Sequence, residues 1–511
     1  MPGDSLNKRP WTWRRRLRWA GLLLLALVPA LIPPSSNYDP APLLKSLSGS
    51  LGASPRGPLG GPASLIVRGV RRPGSTHVIA LRIEQGRITR IAEDVGDDLP
   101  VLDGQGRYVI PGLFDAHVHL SLTPGATLRG DDAKVSAELR AWHMRAYLAS
   151  GVTSILDPAI DAAVARDIRD RRAAGHVGPR FFTLGPPIPA RDGYVEDLFP
   201  PGYADVDQDR IGAHLDRLSA LSAQGVKVPL EPGMLAPIWN VHSQAMLDTI
   251  RKEAQARRLP IYVHAMSQRT YALGLRLSPH AFVHLPETLD PETLGRLVAS
   301  RAYVMTTLAA YDGQRTLQDP SAFADAHSAQ TIPPIELQTL RSPAMQHRFL
   351  VDMIGELLPM VPGRYRDLLA SLGTTRAGQS LMLRMIDGRL RSAGQTLLQL
   401  QRAGVPLVMG SDAGNWPVFP FFFHGPTTWR EISLLEGLGL SPTDVLRAAT
   451  ETPARMLGVD GELGSIAVGQ RADLLLLDAD PALGLSRALP SLHTVIFDGL
   501  AHRPAEWMEL K

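Results

Sequence analysis

Short apolar runs alternate with helical patterns along most of the chain. Eight runs stand out: LFDAHVHL (113–120), VTSILDP (152–158), RFFTLGP (180–186), VKVPLE (226–231), PIYVHAM (260–266), AFVHLP (281–286), AYVMTTLA (302–309) and PLVMGSDA (406–413). Each has the length and apolar character of a buried strand. Between them, segments such as DAAVARDIRDRRAAG and SQAMLDTIRKEAQARR carry apolar residues at helical spacing with charge on the other face. Eight strand–helix units over about 300 residues predict an α/β fold, a (β/α)8 TIM-like barrel. The widest gap between runs, at about 315–400, contains RFLVDMIGELLPM and RLRSAGQTLLQLQRAG. Their periodicity predicts a helical insertion beside the barrel mouth, a lid or a partner surface.

The flanks read differently. SLIVRGV and HVIALRIEQGRITRIAED alternate apolar and polar residues, with EQGR as a hairpin turn, and ADLLLLDAD and HTVIFDGLAHR repeat that style near the C-terminus. A small β-sandwich domain of residues 63–112 and 465–511 is expected, around a barrel domain of 113–464. The N-terminus carries Lys8, Arg9, Arg14, Arg15, Arg16 and Arg18 ahead of WAGLLLLALVPALI, residues 19–32. Fourteen helical residues rise about 21 Å, short of the ~30 Å bilayer core. Residues 1–32 therefore read as a secretory signal, with an uncleaved membrane anchor as the alternative, and the Pro- and Gly-rich stretch 33–62 as a linker. The expected location is periplasmic or extracellular. Membrane association through the N-terminus and a homo-oligomer both stay open.

Composition narrows the function classes. Among 511 residues, 53 basic side chains face 50 acidic ones, a net charge of +3, so nothing marks a nucleic-acid binder. Cysteine is absent, which excludes disulfides, thiolate zinc sites and a cysteine nucleophile. No glycine-rich dinucleotide fingerprint follows a strand, which disfavours a redox enzyme.

The chemistry gathers at the run ends. His117 and His119 form an H-x-H pair at the end of the first strand, where alternate residues face the same side. His264 ends the fifth, His284 the sixth and Asp412 the eighth. Strand C-termini in such a barrel meet at one mouth, so these residues predict a zinc-type site. Lys227, on the fourth strand, is one of only six lysines in a chain with 47 arginines. A neutral lysine can take up CO2 and become an anionic carbamate able to bridge two metals, which arginine cannot do. Glu231 is the competing bridging carboxylate.

The PGLFDAHVHL, YVHAM, FVHLPE and GSDAGN elements resemble the metal-dependent amidohydrolase superfamily. HGPTTWREISLLEGLGLSPTDVLRAATETPARMLGV and GELGSIAVGQRADLLLLDADP are similar to its imidazolonepropionase-like and Xaa-Pro-dipeptidase-like branch. The resemblance runs from about residue 63 to 505. It implies that His117, His119 and Asp412 hold one ion, His264 and His284 a second, with carbamylated Lys227 (a carboxylysine) between two zinc ions. It further implies a metal-activated hydroxide that hydrolyses a C–N bond in a small or dipeptide-like substrate, with Asp412 as the catalytic proton acceptor. Two departures stand out. The third-strand loop reads GPPIPARDGYVEDLFPPGY rather than the branch's glycine–histidine pattern, and AQGVKVPLE is tighter around Gly225 than usual. For substrate binding the candidates are His424, Arg191 and Tyr194, with an apolar rim from Trp416, Phe419, Phe421, Phe422 and Phe423. The alternatives are a lactonase or another ester, carbamate or phosphotriester hydrolase on the same site, and a catalytically silent binding scaffold.

Overall fold

The computed structural model describes residues 63–122, 135–198, 210–233, 237–316, 361–414 and 422–510, with parts of 319–355. The expected signal and linker, residues 1–62, lie outside the described residues, as do Trp416, Phe419 and Phe421 and part of the insertion. No helix among the described residues is long and apolar enough to cross a membrane.

The first strands are β1 (Leu65–Arg71), β2 (Val78–Glu84), β3 (Arg87–Ala92), β4 (Val101–Asp103) and β5 (Tyr108–Pro111). One strand then falls in each of the eight apolar runs: β6 (Leu113–Asp115), β7 (Val152–Asp157), β8 (Arg180–Thr183), β9 (Val226–Pro229), β10 (Ile261–His264), β11 (Ala281–Phe282), β12 (Tyr303–Met305) and β13 (Leu407–Val408). The last are β14 (Leu474–Leu477), β15 (Leu492–Phe497) and β16 (Leu500–His502).

Strands from both ends of the chain share one sheet, in the order β16-β15-β14-β5-β1-β2-β3, with β4 beside β1. The β2–β3 turn places Gln85 and Gly86 at φ 50° and 72°, as a two-residue hairpin of the favoured hand requires. Val67, Leu81, Val109, Leu474 and Ile496, from five of its strands, pack together as one buried apolar cluster.

The other eight strands are all parallel, as β6-β7-β8 and β9 through β13. Backbone bonds also run across both seams between these two sheets. On one side Ala116 N donates to Met409 O (3.1 Å) and His119 N to Ala413 O (2.7 Å); on the other Gln224 N donates to Thr183 O (2.8 Å) and Ile188 N to Lys227 O (2.9 Å). Ala116, Leu156, Leu184, Tyr262, Val283, Met305 and Val408, from or just beyond seven of these eight strands, pack together as one cluster. Every residue of VTSILD is buried, as expected of a parallel strand covered on both faces.

Helices follow the strands, and several of them start on side-chain caps. Ser136, Asp161, Ser243 and Asp290 each accept a backbone N–H from the first turn of their helix. Within the insertion, the helix Arg376–Arg402 sends Ile386, Leu390, Leu397 and Leu400 into the main core. Arg180, at the start of β8, forms a two-pronged bond with Asp473 (2.7 and 3.0 Å) and also meets Asp498, tying the parallel strands to the end-strand sheet.

Candidate metal centre

The regular ladders stop before the apolar runs do. β6 ends at Asp115 and β13 at Val408, and beyond them the chain carries His117, His119 and Asp412 in a different geometry. Asp412 takes φ 60°, a left-handed conformation uncommon for a residue with a Cβ. Its amide donates to His117 O at 2.8 Å, which fixes the two turns against each other. Asp412 Oδ1 then lies 3.0 Å from His119 Nε2 and 3.3 Å from His117 Nε2. These three residues offer ligand atoms that all lie within 4.8 Å of one another, and all three are buried.

His264 and His284 complete the ring group. Their centroids are 4.3 Å apart, and His284 lies 4.7 Å from His117. His117 Nδ1 is 2.9 Å from Val283 O and His284 Nδ1 is 2.9 Å from Thr307 Oγ1. A carbonyl only accepts, so His117 Nδ1 carries the proton and Nε2 is left with its lone pair. That Nε2, and both ring nitrogens of His264, are buried without a hydrogen-bond partner among the described residues. Lys227 is 3% exposed on β9. Its charge acts on all four imidazoles. Burial lowers every one of them, well below the usual histidine value for His117, His264 and His284, and pushes Lys227 down to about 8. Burial thus favours neutral imidazoles, the form in which histidine binds a metal.

The substrate candidates take different places. Tyr194 is buried with its ring 5.0 Å from that of His264 and 5.0 Å from Trp239. It belongs to an apolar cluster with Leu122, Ala309 and Phe422. His424 is buried one step away from the ring group, its Nδ1 sharing a 2.8 Å bond with the Tyr147 hydroxyl. Gly414 makes room between the two, since a Cβ there would lie 2.3 Å from His119 O and 2.9 Å from His424 Cε1. Arg191 is exposed, and its backbone oxygen accepts from Asn240. Glu231 is 7% exposed, with Oε2 3.9 Å from His264 Nε2.

Three buried acids support these residues and are absent from the reading of the sequence above. Asp115 accepts from Ser411 N (2.9 Å), Ser411 Oγ (2.6 Å) and Thr428 Oγ1 (2.7 Å), clamping the β6 and β13 turns, and burial raises it to about 6. Asp157, at the end of β7, accepts from Leu120 N and Ala159 N, sits 3.8 Å from His119 Nδ1, and is raised by burial to about 8. Glu431 accepts from Thr306 Oγ1, Leu308 N and Ala309 N, which shapes the turn carrying Thr307. The available signal was a lone acid inside or next to an otherwise apolar strand, as in LFD and VTSILD.

Among curated relatives, Amidohydrolase tasK of Hapsidospora irregularis is 23% identical over 432 residues, 80% of this chain and 38% of that one. An imidazolonepropionase of Rubrobacter xylanophilus is 57% identical over 42 residues, 8% of this chain and 10% of that one. The chain thus spans well under half the length of these relatives. A solved Xaa-Pro dipeptidase with bound methionine in its active site shares the fold, with TM-score 0.60 and 19% identity over 86% of this chain and 100% of that one. The sequence pattern of the amidohydrolase family matches residues 108–273 and 368–502, which between them hold His117, His119, Lys227, His264 and Asp412, and the chain belongs to that family.

Proposed function

We propose that the chain is an exported, metal-dependent hydrolase that cleaves a C–N bond in a small amide or dipeptide-like substrate. In this reading the eight parallel strands close as a (β/α)8 barrel around two zinc ions, with residues 63–112 and 465–511 as a separate β domain. The observation that carries it is the set of nitrogens on His117 and His264 that have no hydrogen-bond partner among the described residues, buried with Asp412 and Lys227. A buried imidazole that has lost its water and gained no bond is unfavourable, and a cation taking the lone pair relieves that. The donors fit a borderline cation: imidazoles and one carboxylate, without thiolates. Family membership and the fold shared with a Xaa-Pro dipeptidase support a C–N bond as the target.

His117, His119 and Asp412 would hold one ion, His264 and His284 the other, with Lys227 as a carbamate between them. When bound, such cations supply Lewis acidity, acidifying a water and polarising the scissile carbonyl. The chain's own residues do the rest. Val283 O and Thr307 Oγ1 hold the rings of His117 and His284 so that their other nitrogens face inward. Asp412, through its Oδ atoms, takes the proton from the attacking water and returns it to the leaving nitrogen. Tyr194, Trp239 and Phe422 keep bulk water from the reacting atoms.

The test is metal per chain, by elemental analysis of protein purified with bicarbonate, in wild type and Lys227→Ala. About two ions, falling in the variant, is the expected result; one ion unaffected by the substitution refutes the bridge, and folded protein without metal refutes the reading. Export is tested by cell fractionation with N-terminal sequencing of the product.

A further inference from the structure

The insertion carries an outward face that the chemistry above leaves unused. The helix Arg376–Arg402 sends Ile386, Leu390, Ala393 and Leu397 into the core, so Leu381, Arg384, Gly388 and Arg391 run along its opposite side. Leu381 is 54% exposed, and Met385, one turn on, is 55% exposed. The preceding helix, Gly363–Gly373, ends against this one. A Cβ on Gly378 would lie 2.1 Å from Leu372 O, and the Leu372 side chain is exposed as well. Of eight exposed large apolar side chains among the described residues, these three fall within 372–385, and only Leu381 and Met385 share a helix.

The free charge on that face has one sign. The long helix holds five arginines and one acid, and the shorter one adds Arg364 and Arg366 against Asp367. Asp387 is taken by Arg315, and Arg389 bonds Glu287 Oε1 at 2.6 Å, so neither is available. Arg376, Arg384 and Arg391 are exposed and make no side-chain hydrogen bond or ion pair among the described residues. Occupants drawn from this chain bring the wrong charge. A second copy would set arginine against arginine, and residues 1–18 carry six basic side chains against Asp4 alone. A nucleic acid would answer the arginines but leave Leu372, Leu381 and Met385 facing phosphates. An anionic bilayer surface answers both, since headgroups meet the guanidiniums and the apolar side chains reach the acyl boundary.

We propose that this face of the insertion docks the chain on the surface of an anionic membrane. The helices lie on the bilayer, and no described helix is long and apolar enough to cross it. The surface depends neither on a metal nor on the hydrolase reading. Its two parts act differently. The arginines supply an attraction that salt screens, and the apolar side chains supply a depth of insertion that salt leaves in place.

The experiment is flotation of the full chain with vesicles of phosphatidylcholine alone and of equal parts phosphatidylcholine and phosphatidylglycerol. Wild type is expected to favour the anionic vesicles, and about 0.5 M salt should remove most of that preference. The N-terminal segment is common to every variant, so comparing variants isolates the face. Arg384→Gln with Arg391→Gln should weaken binding to anionic vesicles about 25-fold, at about fivefold per arginine. Leu381→Ser with Met385→Ser should weaken it about tenfold or more. Leu483→Ser, at an exposed apolar residue elsewhere, should leave it unchanged. The chain has no cysteine, so Met385→Cys gives one attachment point for a polarity-sensitive fluorophore. Its emission should shift to the blue on anionic vesicles, and the same label at Leu483→Cys should not shift. Equal flotation with both vesicle types, face variants that bind as wild type does, or a label at position 385 that stays in water would each overturn the surface. So would capture of a DNA duplex in preference to vesicles, or a dimer that buries the label.

Discussion

Replacing Gly410 by alanine tests how tightly the candidate centre is built. Gly410 lies between β13 and Asp412, and an added Cβ would stand 2.7 Å from His117 Cβ, 3.1 Å from His117 N and 3.4 Å from His117 Cα. Carbon atoms settle about 3.5–4.0 Å apart, so the two segments must separate by about 1 Å. Neither can yield cheaply. Ala116 N is bonded to Met409 O and Asp412 N to His117 O, so the obstacle is backbone held on both sides of the contact. Overpacking of this kind costs about 1–3 kcal/mol. The same shift disturbs the 3.3 Å separation of His117 Nε2 and Asp412 Oδ1. Metal coordination tolerates only about 0.2 Å, so affinity should fall about tenfold or more. The assays are urea unfolding, read from the midpoint at constant slope, and residual metal after dialysis against graded chelator. Gly388→Ala is the control: it lies within the helix Arg376–Arg402 with nothing within 4 Å of its Cβ, and should gain about 0.5–1 kcal/mol. A Gly410→Ala protein that unfolds with wild type and retains its metal would refute the argument.

Asp115→Ala leaves Ser411 N, Ser411 Oγ and Thr428 Oγ1 without their acceptor, and should lower stability in urea by about 3–5 kcal/mol; a loss under about 1 kcal/mol counts against the clamp. Arg180→Leu leaves Asp473 uncompensated in a nearly buried position, with about 3–5 kcal/mol lost in thermal or chemical unfolding. Glu431 is raised by burial to about 8, above the ordinary value of 4.5. Its contribution is therefore fully present below pH 4.5 and lost as pH rises through about 8, and urea midpoints across that window should decline in wild type but flatten in Glu431→Gln. Chelation should lower the melting temperature and added zinc restore it, because a cation that binds only the folded chain stabilises it by mass action; an unchanged melting temperature after metal loss opposes the proposed centre.

How far the sequence could be read depended on what each residue's role demanded. Parallel strands packed against helices must be largely apolar, so all eight stand out as short apolar-rich runs. Their ends do not. LFDAHVHL and PLVMGSDA read as strands to His119 and Ala413, yet the ladders stop at Asp115 and Val408. Beyond those points the backbone bonds across the seam, and Asp412 turns left-handed, neither of which has a periodic signature. The long helix of the insertion was legible from its spacing, but the placement of Arg389 against Glu287, 102 residues away, was not.

The same distinction separates the candidate ligands from what holds them. A metal accepts few side-chain types, so histidines and an aspartate at strand ends announce themselves even singly. Their supports are drawn from the commonest polar residues, and only contact reveals them. Glu431 reaches Thr306 across 125 residues, and Asp115 reaches Thr428 across 313. Each such acid accepts from at least one donor in a different turn, so it fixes the position of a loop rather than contributing a ligand atom. Glu231 departs from that rule. It resembles the supports in burial and residue type, but it has one internal donor and an oxygen left over. Its other oxygen lies 3.9 Å from His264 Nε2, so it stands beside the candidate ligands rather than with the acids that fix a loop.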